Sequence, residues 1–375
     1  MTIARTLLLA VTTGLLGGTV VGCTDGGGGG RTIDDVDGAS RADAPPVAGD
    51  RDGSVRDGGG SDAGNVDGGD FDGDAGVIAH AWAGINFPPN QGTTNAGAFL
   101  AGVYSWGYTN QQIKAANASF EAMRLPINVD TANDPAALDQ MKGYVDQFAA
   151  RAAIICMFDT RKGTEGTHGD GRADDIAVVG AAWAKVHAVF ADYPNVHYEI
   201  FNEPFGYPKS DPAGYVNEMK AIIQAGGLPL DKCIVDGMGY ADDIQAVAAA
   251  GWSGDLGFHF YPNWSSDHTQ SAYSNVAQNL IGDLGPRTWV TEFGANLGYD
   301  NDCYETYDDG THAGSADINT LRGLDDALRA LLASGRGVKG TFAWHGWNNG
   351  DSYDFWASSA HDRGACKIRL LQAND

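Results

Sequence analysis

Two glutamates, Glu203 and Glu292, each lie within a short apolar run, in the segments VHYEIFNEP (196–204) and TWVTEFG (288–294). Paired carboxyl groups can hydrolyse an acetal, because one protonates the leaving oxygen while the other attacks the anomeric carbon. This division of work requires one carboxyl that stays protonated near neutral pH and one that stays ionised. The two glutamates are therefore candidate catalytic residues, and the alternative is a structural ion pair.

The glutamates belong to a regular alternation of short runs, rich in β-branched and aromatic residues, with helical patterns. The predicted strands are residues 81–87, 120–127, 152–159, 196–203, 232–238, 256–261, 288–293 and 340–344. Asp134-Pro135 and Asp211-Pro212 have the N-cap and first-turn proline pattern of helix starts. Eight strand–helix repeats in about 300 residues predict a (β/α)8 TIM barrel. A doubly wound open sheet is the alternative, although no Gly-rich phosphate loop supports it.

In such a barrel the reactive side chains lie at the C-terminal ends of the strands, where the loops converge. Several other polar and aromatic residues end predicted strands, namely Arg124, Asp159, Asn202, His259, Tyr261 and Trp344. Because side chains alternate along a strand, His259 and Tyr261 are expected to point the same way.

The ordered set of strand motifs resembles family 5 of the glycoside hydrolases, the cellulase family among the retaining (β/α)8 glycosidases. Besides the two glutamate segments, the resemblance rests on Gly84-Ile85-Asn86-Phe87, Met123-Arg124-Leu125-Pro126, His259-Phe260-Tyr261 and Phe342-Ala343-Trp344. It covers residues 81–344 and has the right order at six of the eight strands. It implies that Glu203 is the acid/base and that Glu292 is the nucleophile of a retaining mechanism.

The resemblance also implies roles for the surrounding residues. Arg124 would pair with Glu292 and keep it ionised, and Asn202 would donate to the sugar 2-hydroxyl. Tyr261 would donate to the nucleophile, His259 would contact sugar or a carboxylate, and Trp344 would form a platform under the sugar. The alternatives are a charge-neutralising role for Arg124, a core histidine at 259 and simple barrel packing for Trp344.

Some features depart from the family pattern or stay open. The family's usual histidine at the end of strand three is missing, and Asp159 or His168 would replace it. Four further tryptophans are either sugar-stacking platforms or packing residues, namely Trp106, Trp264, Trp347 and Trp356. Cys156 and Cys233 are predicted to be buried free thiols, whereas Cys303 and Cys366 either form a disulfide or stay free.

The N-terminal 76 residues are predicted to lie outside the barrel. Arg5, the apolar run at 6–21 and Cys23 resemble a bacterial lipoprotein signal, with a signal peptide at 1–22 and acylation at Cys23. An ordinary secretory signal is the alternative. Residues 23–76 contain 13 Asp and 16 Gly, a composition that predicts a disordered tether. The catalytic domain would then span 77–375, at the cell surface or outer membrane, or secreted.

The net charge of −24 argues against nucleic acid as a partner and disfavours polyanionic substrates. The sequence therefore predicts a monomeric endo-β-glycosidase that acts on a neutral polysaccharide, with β-1,4-glucan ahead of β-mannan. A metal-dependent hydrolase is the first alternative, but Asn86 stands where paired histidines would be needed, so we expect neither metal nor cofactor. A non-catalytic glycan-binding surface protein is the second alternative.

Overall fold

The computed structural model describes residues 82–89, 102–110, 112–113, 120–148, 152–158, 170–173, 175–295 and 316–344. No helix among these residues is long and apolar enough to cross a membrane. Several predictions concern residues outside this description: the signal peptide, the tether, Cys23, Asp159, His168, Cys303, Cys366, Trp347 and Trp356.

Eight parallel strands form a closed barrel in sequence order, and β1 pairs with β8 to complete it. The strands are β1 (Trp82–Asn86), β2 (Ala122–Ile127), β3 (Ala152–Met157), β4 (Val196–Glu199), β5 (Cys233–Asp236), β6 (Asp255–Phe260), β7 (Thr288–Phe293) and β8 (Gly340–Ala343). The predicted (β/α)8 TIM barrel is therefore confirmed. Strand β4 ends four residues earlier than the sequence pattern predicts, so Asn202 and Glu203 lie in the loop that follows it.

Helices connect the strands on the outside of the barrel. They are α1 (Val129–Ala132), α2 (Pro135–Phe148), α3 (Ile176–Phe190), α4 (Pro212–Gly226), α5 (Met238–Ala241), α6 (Ile244–Ala249), α7 (Gln270–Ile281) and α8 (Ala316–Ala333). Short 3-10 turns occupy Leu230–Lys232, Pro262–Trp264 and Gly282–Arg287.

Local sequence signals explain where two of these helices begin. The side chain of Asp134 accepts the backbone N–H groups of Ala136 and Ala137, and that of Asp211 accepts the N–H of Gly214. Both predicted helix starts are thus confirmed, because each aspartate satisfies amides that have no partner inside the helix. Helix α4 ends where Gly227 adopts a φ of 62°, a conformation that costs glycine little.

Alternate residues of each strand enter two separate cores. Met123, Ile155 and Val235 belong to the large core between the strands and the helices. A second cluster, from the other face of the strands, fills the N-terminal half of the barrel interior: Ala122, Ala152, Ile154, Ile234, Trp289 and Phe342. Two residues further toward the C-terminal ends of the strands, inward-facing positions become polar or charged, as at Arg124 and Asp236, and these positions form the site described next.

Candidate active site

Arg124 on β2 is the centre of the site and is fully buried. Its Nε and Nη2 donate to the two carboxylate oxygens of Glu199 at 2.6 and 3.0 Å, a forked geometry that suits a guanidinium. Its Nη1 donates to Oε1 of Glu292 at 2.6 Å and to Oδ1 of Asn86 at 2.8 Å. Nη2 also reaches Oδ1 of Asn202 at 2.6 Å. One guanidinium therefore joins side chains from β1, β4 and β7 and from the loop after β4.

The two candidate catalytic carboxyls face each other across His259 on β6. Nδ1 of His259 lies 2.9 Å from Oε1 of Glu203 and 3.6 Å from Oε2 of Glu292. One oxygen of Glu203 and one of Glu292 lie within 4.8 Å of each other. The side chain of Glu203 is 17% exposed and that of Glu292 only 6%, so Glu203 is the one more open to solvent.

A break in strand register directs Glu292 toward this cluster. Strands β6 and β7 pair regularly until Phe258, after which the register shifts so that His259 lies opposite Glu292. The pairing of β7 with β8 also shifts, between Val290 and Phe293. Such irregularities occur next to active sites because they change the direction of a side chain. The hydroxyl of Tyr261 then donates to Oε2 of Glu292 at 2.8 Å.

Glu203 has an unusual backbone conformation. Its φ is +46°, in the left-handed region that non-glycine residues rarely adopt. Its backbone N–H donates to Oδ2 of Asp236, at the end of β5, at 3.1 Å. The neighbouring Asn202 is fixed through its own N–H, which donates to the carbonyl of Met157 at 2.7 Å. Strain of this kind is found where the surrounding structure overdetermines a functional residue.

The buried carboxyl groups below the catalytic pair have opposite protonation tendencies. Burial would raise the pKa of Glu199, but the charge and hydrogen bonds of Arg124 outweigh it and lower that pKa. Burial, followed by the charge of Glu199, raises the pKa of Asp236 well above its usual value. Burial opposes a charge on His259, but Glu292 and Glu203 overcome it and raise the pKa of that imidazole.

The aromatic residues predicted as sugar platforms fall into different settings. Trp344 follows β8, is largely buried, and packs beside Phe158, with ring centroids 6.5 Å apart. Tyr261 packs against the cluster that these two residues form with Cys156. Trp106 is fully buried and donates through Nε1 to the carbonyl of Phe87, so it is a packing residue. Trp264 is half-buried, with Nε1 donating to the carbonyl of His259 at 2.6 Å.

The structure thus joins six predicted residues through a continuous set of contacts, namely Glu203, Glu292, Arg124, Asn202, His259 and Tyr261. Trp344 lies in a neighbouring cluster with Cys156 and Phe158. Reasoning from the sequence missed the partners Glu199 and Asp236. A signal for Glu199 was available, since a glutamate inside a buried strand requires a cation. Cys156 and Cys233 are buried free thiols, as predicted.

Within the part of the chain that the structure describes, two groups of side chains have atoms near enough together to be compared with a metal site: Glu199 with Asp236 and His259, and Glu203 with His259 and Glu292. Arg124 already forms ion pairs with Glu199 and Glu292 at 2.6 Å. A metal ion would have to compete with this guanidinium, so the donor set is a poor fit for a metal.

Solved structures with the same fold have low sequence identity to the chain. An endo-β-1,4-glucanase from Xanthomonas axonopodis pv. citri superposes with a TM-score of 0.55 at 14% identity, covering 79% of this chain and 100% of that one. A family 5 xyloglucanase from Paenibacillus pabuli gives 0.53 at 14%, covering 80% and 99%. The Pseudomonas stutzeri endoglucanase Cel5A, in complex with cellobiose, gives 0.54 at 13%, covering 79% and 93%. These likenesses show the fold.

Comparison with curated protein sequences found no significant match. The family model of cellulase (glycosyl hydrolase family 5), however, matches residues 82–324, from the first strand of the barrel into α8. That match covers well over half of the chain and includes both glutamates and Arg124. The chain therefore belongs to glycoside hydrolase family 5, the cellulase family, and is a glycosidase.

Proposed function

We propose that the protein is a retaining endo-β-glycosidase that hydrolyses a neutral polysaccharide, with β-1,4-glucan as the first candidate and β-mannan as the second. The observation that carries this proposal is the approach of the Glu203 and Glu292 carboxyls to within 4.8 Å. Retaining glycosidases hold their carboxyl groups about 5 Å apart, whereas inverting enzymes need a wider gap for a water molecule.

In the first step a carboxylate oxygen of Glu292 attacks the anomeric carbon and forms a glycosyl ester. The bond to the leaving oxygen breaks, and that oxygen takes the proton of Glu203. In the second step Glu203, now ionised, removes a proton from water, and the water oxygen displaces Glu292. The two inversions return the sugar with its original β configuration, the proton to Glu203 and the negative charge to Glu292.

The neighbouring side chains support these two roles. Arg124 and Tyr261 each donate to a different oxygen of Glu292, which holds the orientation of that carboxyl group. Nδ2 of Asn202 is buried and, among the described residues, has no hydrogen-bond partner. This amide is suited to donate to the 2-hydroxyl of the sugar, a contact that strengthens in the transition state. Trp344 would form the wall against which that sugar stacks.

The substrate proposal rests on charge and on the structural neighbours. A net charge of −24 opposes the approach of polyanionic chains, which favours a neutral polysaccharide. The solved neighbours include enzymes named endo-β-1,4-glucanase and xyloglucanase, which supports a glucan as the first candidate. The loops that choose among neutral sugars differ between such enzymes, so β-mannan stays as the second candidate.

For the rest of the chain we propose an export signal at 1–22, acylation at Cys23 and an acidic tether that carries a monomeric enzyme at the bacterial surface. The basis is the sequence pattern around Cys23 and the Asp/Gly composition of the following segment. Mass spectrometry of the membrane fraction, compared with that of a Cys23→Ala variant, tests this. A chain without acyl groups in the soluble fraction would contradict it.

The test of function is the release of reducing ends from a panel of soluble glucans and mannans. Glu203→Gln should lower kcat by about 10²–10⁴-fold on substrates that need the acid, and Glu292→Gln should remove turnover. Glu218→Gln, on α4 and outside the site, is the matched control and should retain activity. On an aryl glycoside, whose leaving group departs without the acid, azide should restore turnover to the Glu203 variant by replacing water at the second step. Activity that survives both changes in the site would contradict the proposal.

A further inference from the structure

Asp236, which the sequence did not single out, lies directly below the acid/base residue. Its Oδ2 accepts the backbone N–H of Glu203 at 3.1 Å, and its own carbonyl accepts the hydroxyl of Tyr215 at 3.1 Å. The carboxyl has room because position 257 on β6 is a glycine, where a Cβ would lie 2.0 Å from Oδ1 of Asp236. The strand end and the side chain are therefore both fixed.

The charges around Asp236 do not balance if it is ionised. It is fully buried, and one of its carboxyl oxygens lies within 4.8 Å of an oxygen of Glu199, whose two oxygens are already bound by Arg124. The remaining nitrogen of Arg124, Nη1, donates to the carboxylate of Glu292. The groups that face Asp236 come from six surrounding elements and are Glu199, Arg124, His259, Cys156, Thr291 and Tyr215.

His259 does not remove the imbalance. Its Nε2 lies 4.0 Å from Oδ2 of Asp236 and 4.0 Å from Oε1 of Glu199, beyond hydrogen-bond distance. Its Nδ1 faces Glu203 and Glu292, so any positive charge on the imidazole is shared with the catalytic pair. Burial and the charge of Glu199 raise the pKa of Asp236 well above its usual value, in agreement with this count.

We propose that Asp236 is a positioning residue that works as an uncharged carboxylic acid, donating its proton to Glu199 while its Oδ2 accepts the N–H of Glu203. The hydrogen bond to the Glu203 backbone holds the left-handed conformation, φ +46°, that presents the acid/base carboxyl to His259. An ionised Asp236 would instead repel Glu199. The role rests on the proposed function of Glu203, whereas the protonation of Asp236 does not.

Infrared spectroscopy near pH 7 tests the protonation without reference to activity. The Glu203→Gln variant is the background, because it removes the acid/base residue's own carboxyl proton. Adding Asp236→Asn should abolish one carbonyl stretch of a protonated carboxyl group. Loss of a carboxylate band instead would overturn the proposal, even if the protein hydrolyses no polysaccharide.

Activity tests the positioning in an otherwise native protein. Asparagine keeps the shape, the neutral charge, a donor to Glu199 and an acceptor for Glu203, so Asp236→Asn should stay within about threefold of the native kcat. Asp236→Ala removes the acceptor and should lower kcat about tenfold, with KM nearly unchanged. Glu199→Gln, the same chemical change in the adjacent carboxyl, should be far more damaging because it removes a charge that Arg124 binds.

Equal losses in Asp236→Asn and Glu199→Gln would show that Asp236 is ionised and would overturn the proposal. Full activity in Asp236→Ala would show that it has no positioning role, with the same consequence. If circular dichroism shows that the alanine variant does not fold, the asparagine variant and the infrared band still test whether Asp236 is protonated.

Discussion

His197 and His259 both point into the barrel, one near each end, and their surroundings shift their pKa values in opposite directions. Nδ1 of His259 faces the carboxyls of Glu203 and Glu292, and these raise its pKa although burial opposes a charge. Nδ1 of His197 has no hydrogen-bond partner among the described residues, and its ring lies 5.2 Å from that of Trp289. Burial lowers its pKa to about 4.

The two histidines reflect different charge arrangements in the two halves of the barrel interior. Near the N-terminal ends of the strands, the carboxylate of Asp255 accepts hydrogen bonds from Nζ of Lys339 at 2.7 and 2.8 Å and from Nε1 of Trp289 at 2.8 Å. The charge of Lys339 therefore balances that of Asp255. Near the C-terminal ends, Arg124 serves both Glu199 and Glu292, and two more carboxyls lie close by. The first arrangement is balanced in charge, whereas the second holds an excess of acidic groups that catalysis can use.

The largest effect on stability is expected for Arg124→Met, which keeps an unbranched side chain but removes the cation near the C-terminal ends of the strands. Breaking a buried ion pair leaves uncompensated carboxylates, so we expect a loss of about 3–5 kcal/mol in the free energy of unfolding by urea. Arg336→Met is the matched control, since the Arg336 pair with Asp283 is exposed and should change stability by only about 0–1 kcal/mol. Equal losses in the two variants would contradict the central role of Arg124.

Lys339→Met removes the cation near the N-terminal ends of the strands. Asp255 would keep its hydrogen bond from Trp289 but lose its charge partner, which should cost about 1–3 kcal/mol. Because this end is far from the catalytic carboxyls, kcat and KM should stay near the native values. A loss of activity larger than the loss of folded protein would mean that the two ends are coupled.

A smaller effect is expected in the pH dependence of stability at His197. A histidine in an unfolded chain has a pKa of about 6.5, and folding lowers the pKa of His197 to about 4. The neutral form is favoured by folding, so stability is full above about pH 6.5 and is lost as the pH falls toward 4. The Tm of His197→Leu should therefore decline less than the native Tm over this range. An identical decline would contradict the burial of a neutral His197.

The pH dependence of the Tm in His259→Gln should have the opposite sign. We expect this effect to be the smallest, because the imidazole charge is shared among several carboxyls. The raised pKa of His259 means that its contribution to stability is present below about pH 6.5 and is lost as the pH rises through the folded value. The variant should lie furthest below the native Tm on the acidic side. A deficit that grows at alkaline pH would contradict this environment.

The sequence by itself determined the eight-strand alternation, the two helix starts at Asp134 and Asp211, and the polar residues that end the strands. These features depend on period-two and helical patterns and on local capping, which neighbouring residues decide. They were sufficient to select Glu203, Glu292, Arg124, Asn202, His259 and Tyr261 before any contact was known.

Only the tertiary structure decided which charged groups meet. Glu199 and Asp236 stand 37 positions apart in the chain, and their contact depends on the pairing of β4 with β5 inside the closed barrel. The inward direction of Glu292 depends on the shift between β6 and β7, and the strain at Glu203 depends on the hydrogen bond that its N–H donates to Asp236 on a neighbouring strand. Desolvation and charge pairing arise from these distant contacts, so a local pattern cannot specify them.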